Sequence, residues 1–391
     1  MMDEKEIKLA KERLDKYLRF LIDHGGSDLH IKSGSNIRGR INGDIFKLSE
    51  NNLSKEEIIG IMRIILGERF LVLEEKKNLD FTYILNKEYR FRVNVFYQIS
   101  GISAVFRVIL SKIPTIDELK LPKVLKDICD TSMRGLILVS GPTGSGKTTT
   151  IASMLNRINN IRPAHIITIE DPVEYIYEDK ECIINQRAVG QDCTNFADSL
   201  RASLREDPDI IFVGEMRDLE TIETALRAAE TGHLVFSTIH TIDAKETVNR
   251  IISMFEVYEQ ERIRLALASV LESVISQRLI STKDGYRRPV VEVLRKNARI
   301  KEMIISNRAH EITDAIKDGR NTYGMQTFDQ HLLDLFKEGA ITREEALDKS
   351  TNRGDLDIDI KNVIMSKKED DKLKNSKELY CDIDIALEDI D

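Results

Sequence analysis

The first 109 residues carry two hydrophobic periods, one typical of a helix and one typical of strands. Over residues 3–24 the apolar side chains recur every three or four positions, which predicts an amphipathic helix. Farther on, residues 89–97 alternate between two faces, as a half-buried strand does. One face holds Phe91, Val93, Val95 and Tyr97, and the other holds Arg90, Arg92, Asn94 and Phe96. The pattern predicts a small α+β domain over residues 1–109, built around an antiparallel sheet.

From residue 134 the pattern changes to short apolar runs separated by helical stretches. The runs predict strands at 136–140, 164–169, 210–213 and 234–237. Strands that alternate with helices imply an α/β domain with a mostly parallel sheet, whose ligand site lies at the carboxyl ends of the strands. Residues 258–349 have a helical pattern. We therefore expect an α/β domain over 134–354 with a helical C-terminal region, joined to the first domain by a linker at 110–133.

Charge is concentrated at the end of the chain. The 391 residues carry a formal net charge of -8, and residues 355–391 hold twelve Asp or Glu against six Lys. That acidic segment is poor in aromatic residues and is predicted to be disordered. The rest of the chain is close to neutral, which gives no reason to expect a nucleic acid partner. No apolar run approaches the roughly 18 residues needed to span a bilayer, so we expect no direct membrane span.

The strongest chemical signal is a glycine-rich turn between a buried strand and a helix. Residues 136–140 are apolar, and residues 141–148 match the pattern G-x-x-x-x-G-K-[ST]. Backbone N–H groups of such a loop can surround phosphate oxygens, and the positive helix end favours an anion. The predicted phosphate-binding residues are Gly141, Pro142, Thr143, Gly144, Ser145, Gly146, Lys147, Thr148 and Thr149. The predicted ligands are ATP and Mg²⁺, with the Thr148 hydroxyl placed to bind the metal.

Three later stretches place titratable groups next to predicted strands. Glu170 and Glu215 follow buried strands and are candidates for orienting the attacking water and for holding the metal. His233 and His240 flank the next strand and are candidate γ-phosphate sensors. Acidic residues after strands also serve as helix caps, and a lone histidine is often structural. These alternatives remain open at this stage.

In their order along the chain, these stretches resemble the Walker A, Asp box, Walker B and His box of the secretion ATPases that drive type II secretion and type IV pili. The likeness is strongest to the PilT-type pilus retraction (twitching motility) ATPases. It extends over residues 26–30, 91–96, 104–109, 324–329 and 339–341.

The resemblance implies a PAS-like N-terminal domain followed by a RecA-like P-loop ATPase domain, assembled as a homohexamer. It implies Mg-dependent ATP hydrolysis, in which Arg92 and Arg107, with Arg90 less certain, reach the phosphates, and in which Glu215 holds Mg²⁺ through water. The alternating pattern alone favours the alternative that these arginines form a solvated sheet face. The implied partner is an inner-membrane pilus platform protein, and the implied location is cytoplasmic, peripheral at the inner face of the membrane.

Two features bear on which motor of the family the chain resembles. The N-terminal domain is short and lacks a four-cysteine insertion, which favours retraction over pilus assembly or type II secretion. Residues 299–306 depart from the retraction pattern Ala-Ile-Arg-Asn-Leu-Ile-Arg-Glu, because Ile305 and Ser306 replace its second Arg and its Glu. A weakly hydrolysing regulatory protein of the pilus machine and a nucleic acid translocase are the alternatives from other classes.

Overall fold

The computed structural model describes residues 4–41, 43–86, 89–109 and 112–366. The chain divides into two compact units. One is drawn from Met1–Ile113 and His165–Ser203, and the other from Pro114–Ala164 and Leu204–Asp391. None of the helices in the described part of the chain is long and apolar enough to cross a membrane.

The N-terminal part of the first unit contains an antiparallel sheet covered by helices. Its elements are α1 (Glu4–Asp23), β1 (Gly26–Lys32), β2 (Ser35–Ile41), β3 (Asp44–Leu53), α2 (Lys55–Leu66), α3 (Phe70–Lys76), β4 (Asn78–Ile84), β5 (Arg90–Gln98) and β6 (Gly101–Ile109). The described strands are ordered β3-β2-β1-β6-β5-β4, and all neighbours are antiparallel. Phe91, Val93 and Phe106 are fully buried on one face with Leu14 and Leu18 of α1, as the alternation predicts.

The remaining elements include the strands of the predicted α/β region. In chain order they are α4 (Val124–Thr131), β7 (Gly135–Ser140), α5 (Lys147–Asn159), β8 (His165–Glu170), β9 (Ile183–Ala188), α6 (Phe196–Ser203), β10 (Ile210–Val213), α7 (Leu219–Glu230), β11 (Leu234–Ile239), α8 (Ala244–Ser253), α9 (Gln260–Val270), β12 (Leu271–Ser281), β13 (Arg287–Arg295), α10 (Ala298–Ile305), α11 (Ile312–Asp318), α12 (Arg320–Tyr323), α13 (Phe328–Lys337) and α14 (Arg343–Lys349). Residues 353–366 form a further helix, α15. The stretch predicted as a linker thus contains α4.

The second unit is built on strands ordered β13-β12-β7-β11-β10. β10, β11, β7 and β12 run parallel, whereas β13 pairs with β12 in the antiparallel sense. Every residue of β7 and β11 is buried, which explains their apolar composition. Because parallel strands share polarity, the segments after β7, β10, β11 and β12 meet at one edge of this sheet. In the first unit, β8 and β9 form a parallel pair.

Two expectations for the C-terminal part are wrong. Residues 271–295 were expected in a helical region, but β12 and β13 form an antiparallel pair there. Six consecutive residues of β13 are buried, so the strand shows no alternation to distinguish it from a buried helix. Disorder was expected from residue 355, but α15 covers residues up to 366 and buries Leu356 and Ile360. The acidic residues after 366 lie outside the described part of the chain.

Candidate functional site

The glycine-rich loop lies between β7 and α5, as predicted. Gly146 precedes α5 with φ +90°, a conformation that side chains rarely allow, and its carbonyl accepts from the Thr150 N–H at 3.0 Å. Gly141 is required for space as well, since a Cβ there would lie 2.3 Å from the Gln277 carbonyl oxygen. The loop therefore has the strand-turn-helix context that a phosphate-binding loop needs.

Lys147 and Ser145 present polar groups inside this loop. The Lys147 side chain is buried, and its Nζ donates to the carbonyl oxygens of Gly141 at 2.9 Å and Pro142 at 3.1 Å. The Ser145 hydroxyl is buried and makes no hydrogen bond within the described residues. Loop carbonyls hold the ammonium, whereas the hydroxyl lacks a partner among the described residues, and a buried polar group without a partner is costly. Phosphate oxygens would be stronger acceptors for the ammonium and would satisfy the hydroxyl. The residues therefore fit a phosphate ligand.

The metal candidates are oxygen donors of the kind that Mg²⁺ prefers. Thr148 is half-buried in the first turn of α5, and Glu215 follows β10 with a side chain that is mostly buried. Since β11 lies between β7 and β10, the strands that precede these two residues are about 10 Å apart, two strand spacings.

Glu215 is the centre of a small charged cluster. Its Oε2 lies 2.8 Å from Arg217 Nη2, and its Oε1 lies 3.4 Å from His240 Nε2. The strand end is held by β11, because Thr238 Oγ1 donates to the Gly214 carbonyl at 2.6 Å and the Met216 N–H donates to the Thr238 carbonyl at 3.0 Å. The structure thus brings the predicted Glu215 and His240 together.

His233 does not join this cluster and lies at the opposite end of its strand from the glycine loop of its own chain. β11 runs parallel to β7 with Leu234 paired to Gly135, so His233 lies at the amino end of the sheet. The glycine loop follows the carboxyl end, a strand length of about 20 Å away. The His233 ring instead bonds locally, with Nδ1 2.9 Å from the Ala228 carbonyl oxygen.

Glu170 ends β8 in the first unit and is almost fully buried. Its Oε1 accepts from Thr168 Oγ1 at 2.7 Å and from Gln186 Nε2 at 3.4 Å. Burial raises the pKa of Glu170 to about 7, with a smaller contribution from the neighbouring Glu174 carboxylate. A carboxyl group with such a pKa can exchange a proton near neutral pH.

The predicted arginines share one face of the N-terminal sheet. Arg92 and Arg107 are directly opposite each other on β5 and β6, and Arg107 also pairs in register with Asp28. Arg107 Nε lies 2.7 Å from Asp28 Oδ1, while the Arg107 side chain stays 67% exposed. Burial opposes ionisation of Asp28, but hydrogen bonds from Arg107 and Ser27 lower its pKa overall. Among the described residues Arg90 and Arg92 form no ion pair, which leaves two cations for an anion.

Sequence reasoning missed two buried polar residues at the loop edge of the second unit. Gln277, on β12, bonds both to the glycine loop and to α5. Glu292, on β13, accepts from the Ala244 N–H at 2.9 Å and so fixes the start of α8, directly after the His240 segment. Burial raises the pKa of Glu292 to about 7. Glu292 offered one signal, a polar residue within an apolar run, whereas Gln277 stands between Ser276 and Arg278 and offered none.

A cavity of about 620 Å³ opens beside the glycine loop. The loop side contributes Gly146, Thr149 and Thr150. Farther from the loop, its walls include Leu119, Leu279 and Pro289. The volume lies within the usual range for small-molecule sites, and apolar walls beside a phosphate loop suit a nucleoside.

A parallel sheet whose central strand leads into this loop and helix defines the P-loop class of nucleotide-binding folds. The family model "Type II/IV secretion system protein" matches residues 3–348. The chain belongs to this family and is a PilT-type member of it.

Named relatives cover nearly the whole of the described chain. The chain is 43% identical to the Pseudomonas aeruginosa type IV pilus retraction ATPase PilT, over 86% of this chain and 98% of that protein. It is 38% identical to the type IV pilus ATPase PilU of the same organism, over 89% and 91%. A crystal structure of the pilus retraction motor PilT with bound ADP matches with a TM-score of 0.82 and 42% identity, over 88% and 98%.

Proposed function

We propose that the chain is a hexameric, Mg-dependent ATPase that powers type IV pilus retraction through nucleotide-driven motion between its N-terminal and C-terminal domains. In this motor, residues 1–109 would form the N-terminal domain, residues 110–133 a linker and residues 134–354 the ATPase domain. The observation that carries it is an intact phosphate loop in a chain that covers 98% of PilT at 43% identity. By contrast, the chain covers 44% of the P. aeruginosa pilus assembly ATPase PilB, at 36% identity.

The loop residues 141–149 would hold the phosphates, and the adjoining cavity would take the adenosine. Lys147 would exchange its two loop carbonyls for phosphate oxygens, which are stronger acceptors for an ammonium group. Thr148 would bind Mg²⁺ directly and Glu215 through water. The metal supplies charge neutralisation at the phosphates when it is bound.

Glu215, His240 and Glu170 would act on the attacking water and the γ-phosphoryl group. Glu215 already carries two cationic or donor partners, Arg217 and His240, which can turn toward a phosphate when the carboxylate engages water or metal. Glu170 is poised to accept a proton because its pKa is raised to about 7 by burial.

Arg92 and Arg107 would supply the positive charge that such ATPases bring to the phosphates. Like charges directly opposite on a sheet destabilise it, and Asp28 contacts only Arg107 of the two. A phosphate group would compensate the pair. In a ring, arginines contributed at subunit contacts couple hydrolysis to assembly.

Light scattering of the full-length chain with and without Mg-ATP tests the ring, and we expect a hexamer with nucleotide. A monomer at every concentration would contradict the assembly. We also expect no stimulation of ATP turnover by single-stranded nucleic acid, and a clear stimulation would favour a translocase instead.

The motor would work at the cytoplasmic face of the inner membrane, docked on a pilus platform protein. Deleting the gene and counting surface pili tests the direction of force. We expect excess pili, restored to normal by the parent gene and not by a Lys147→Ala gene. Loss of pili would assign the chain to assembly, and unchanged pili with near-zero ATP turnover would assign it to regulation of a paired motor.

A further inference from the structure

Gln277 joins β12 to the phosphate loop through both ends of its side chain. Its Nε2 donates to the Ser145 carbonyl at 2.7 Å, and its Oε1 accepts from Thr150 Oγ1 at 2.7 Å. The residue is only 3% exposed. Pairing of β12 with β7 ends at Ser276 and Ser140, so Gln277 is the residue that lies alongside Gly141, where the loop begins.

The hydrogen bond to Ser145 determines which way a loop peptide faces. In a trans peptide the C=O and the following N–H point in opposite directions. When the Ser145 carbonyl is held toward Gln277, the Gly146 N–H points away from Gln277. A phosphate loop works only if its N–H groups face inward and its carbonyls face outward, because an inward carbonyl would repel the anion.

The two bonds together fix which way the Gln277 carboxamide faces. The Ser145 carbonyl can only accept, so Nε2 must face it, and Oε1 then accepts from the Thr150 hydroxyl. Thr150 belongs to the first turn of α5, so one side chain links the neighbouring strand, the loop and the helix. An aliphatic side chain of the same size could fill the volume but could not orient the peptide.

We propose that Gln277 is a positioning residue that holds the Ser145–Gly146 peptide in its phosphate-binding orientation, a role that rests on the proposed nucleotide function. It touches no reacting atom in this role. Replacing Gln277 would change the orientation of the loop peptide and so lower the affinity for the phosphates.

Gln277→Leu in the full-length chain tests this, with Gln326→Leu as the matched control. Gln326 donates from Nε2 to the Val291 carbonyl at 2.8 Å and forms no hydrogen bond with a loop residue within the described part of the chain. We expect ADP to bind Gln277→Leu at least tenfold more weakly than parent by calorimetry, and Gln326→Leu to bind as parent does. Thermal unfolding of both variants checks that they are equally stable. A weaker ADP affinity in Gln277→Leu alone then cannot come from a general loss of stability.

Gln277→Glu adds a pH signature that a packing role would not produce. A protonated carboxyl group can donate to Ser145 and accept from Thr150, whereas a carboxylate can only accept and also repels phosphate. We expect ADP affinity relative to parent to be low at pH 8 and to recover as the pH falls toward 6. The other charged residues of the cavity and the loop are identical in the variant and the parent, so their titration cancels in this comparison. They are Glu118, Lys120, Lys147, Lys283, Asp284, Arg287 and Arg288.

The outcomes separate this inference from the proposed function. ADP binding to Gln277→Leu with the parent's affinity would overturn the positioning role alone. The positioning role would also be overturned if the ADP affinity of Gln277→Glu, relative to parent, were equally low at pH 6 and pH 8 and the variant were less stable than parent. A parent chain that binds no ADP would overturn both proposals, since the loop would then hold no phosphate.

Discussion

At the residue scale, two loop carbonyls stabilise the buried Lys147 ammonium and hold it inside the loop where a phosphate would bind. Replacing it with Ala removes the charge that a phosphate would meet. We expect Lys147→Ala to abolish ADP binding while the chain stays folded. Lys296→Ala is the matched control, because Lys296 Nζ also donates to a carbonyl, that of Ser269 at 3.0 Å, away from the loop. Calorimetry that finds parent-like affinity in Lys147→Ala would contradict the assignment.

The raised pKa of Glu170 predicts the direction in which the unfolding free energy changes with pH. Its pKa is near 4.5 when unfolded and about 7 when folded, so the native state holds the extra proton between these values. Stability therefore falls as the pH rises through this window. Glu170→Gln cannot ionise, and we expect it to exceed the parent in unfolding free energy at pH 8 by up to about 3 kcal/mol, and to lie closer to the parent at pH 5.

Urea unfolding at the two pH values measures this difference, with the exposed Glu181→Gln as control. We also expect Glu170→Gln to lose ATP turnover. An unfolding difference that is the same at pH 5 and pH 8 would show that Glu170 is not a buried carboxyl with a raised pKa.

At the scale of elements, the structure predicts that α15 is packed onto the core of the second unit. Ile360 is fully buried, whereas Ile358 on the same helix is 58% exposed. Ile360→Ala should lower the unfolding free energy by about 2–4 kcal/mol through lost burial and a residual cavity. Ile358→Ala should change it by about 0.5 kcal/mol or less. Equal effects in denaturant melts would contradict the packing of α15.

Local pattern was enough to predict most of the strands. The alternation of β5 and the apolar run of β7 are signals within one segment, and so is the glycine motif after β7. β12 and β13 could not be distinguished from helices because burial on both faces removes the period of two. The acidic composition after residue 355 concealed α15, whose few apolar residues pack against a distant part of the chain.

The candidate site was predictable only where its residues follow one motif. The glycine loop and Glu215 follow apolar strands, so their place at the carboxyl edge follows from strand polarity. The same rule places His233, which precedes its strand, at the opposite edge of the sheet. Gln277 contacts the loop from 132 residues away in sequence, and no local pattern carries that contact.

At the scale of the whole molecule, a motor function requires that this chain hydrolyse ATP and that Glu215 serve hydrolysis rather than binding. The most direct measurement is phosphate release from Mg-ATP by the full-length parent and by Glu215→Gln, with ADP affinity measured in both. We predict equal ADP affinity and a loss of turnover of at least tenfold in Glu215→Gln. Comparable turnover in the two chains, or no turnover in a parent that binds ADP, would contradict the account.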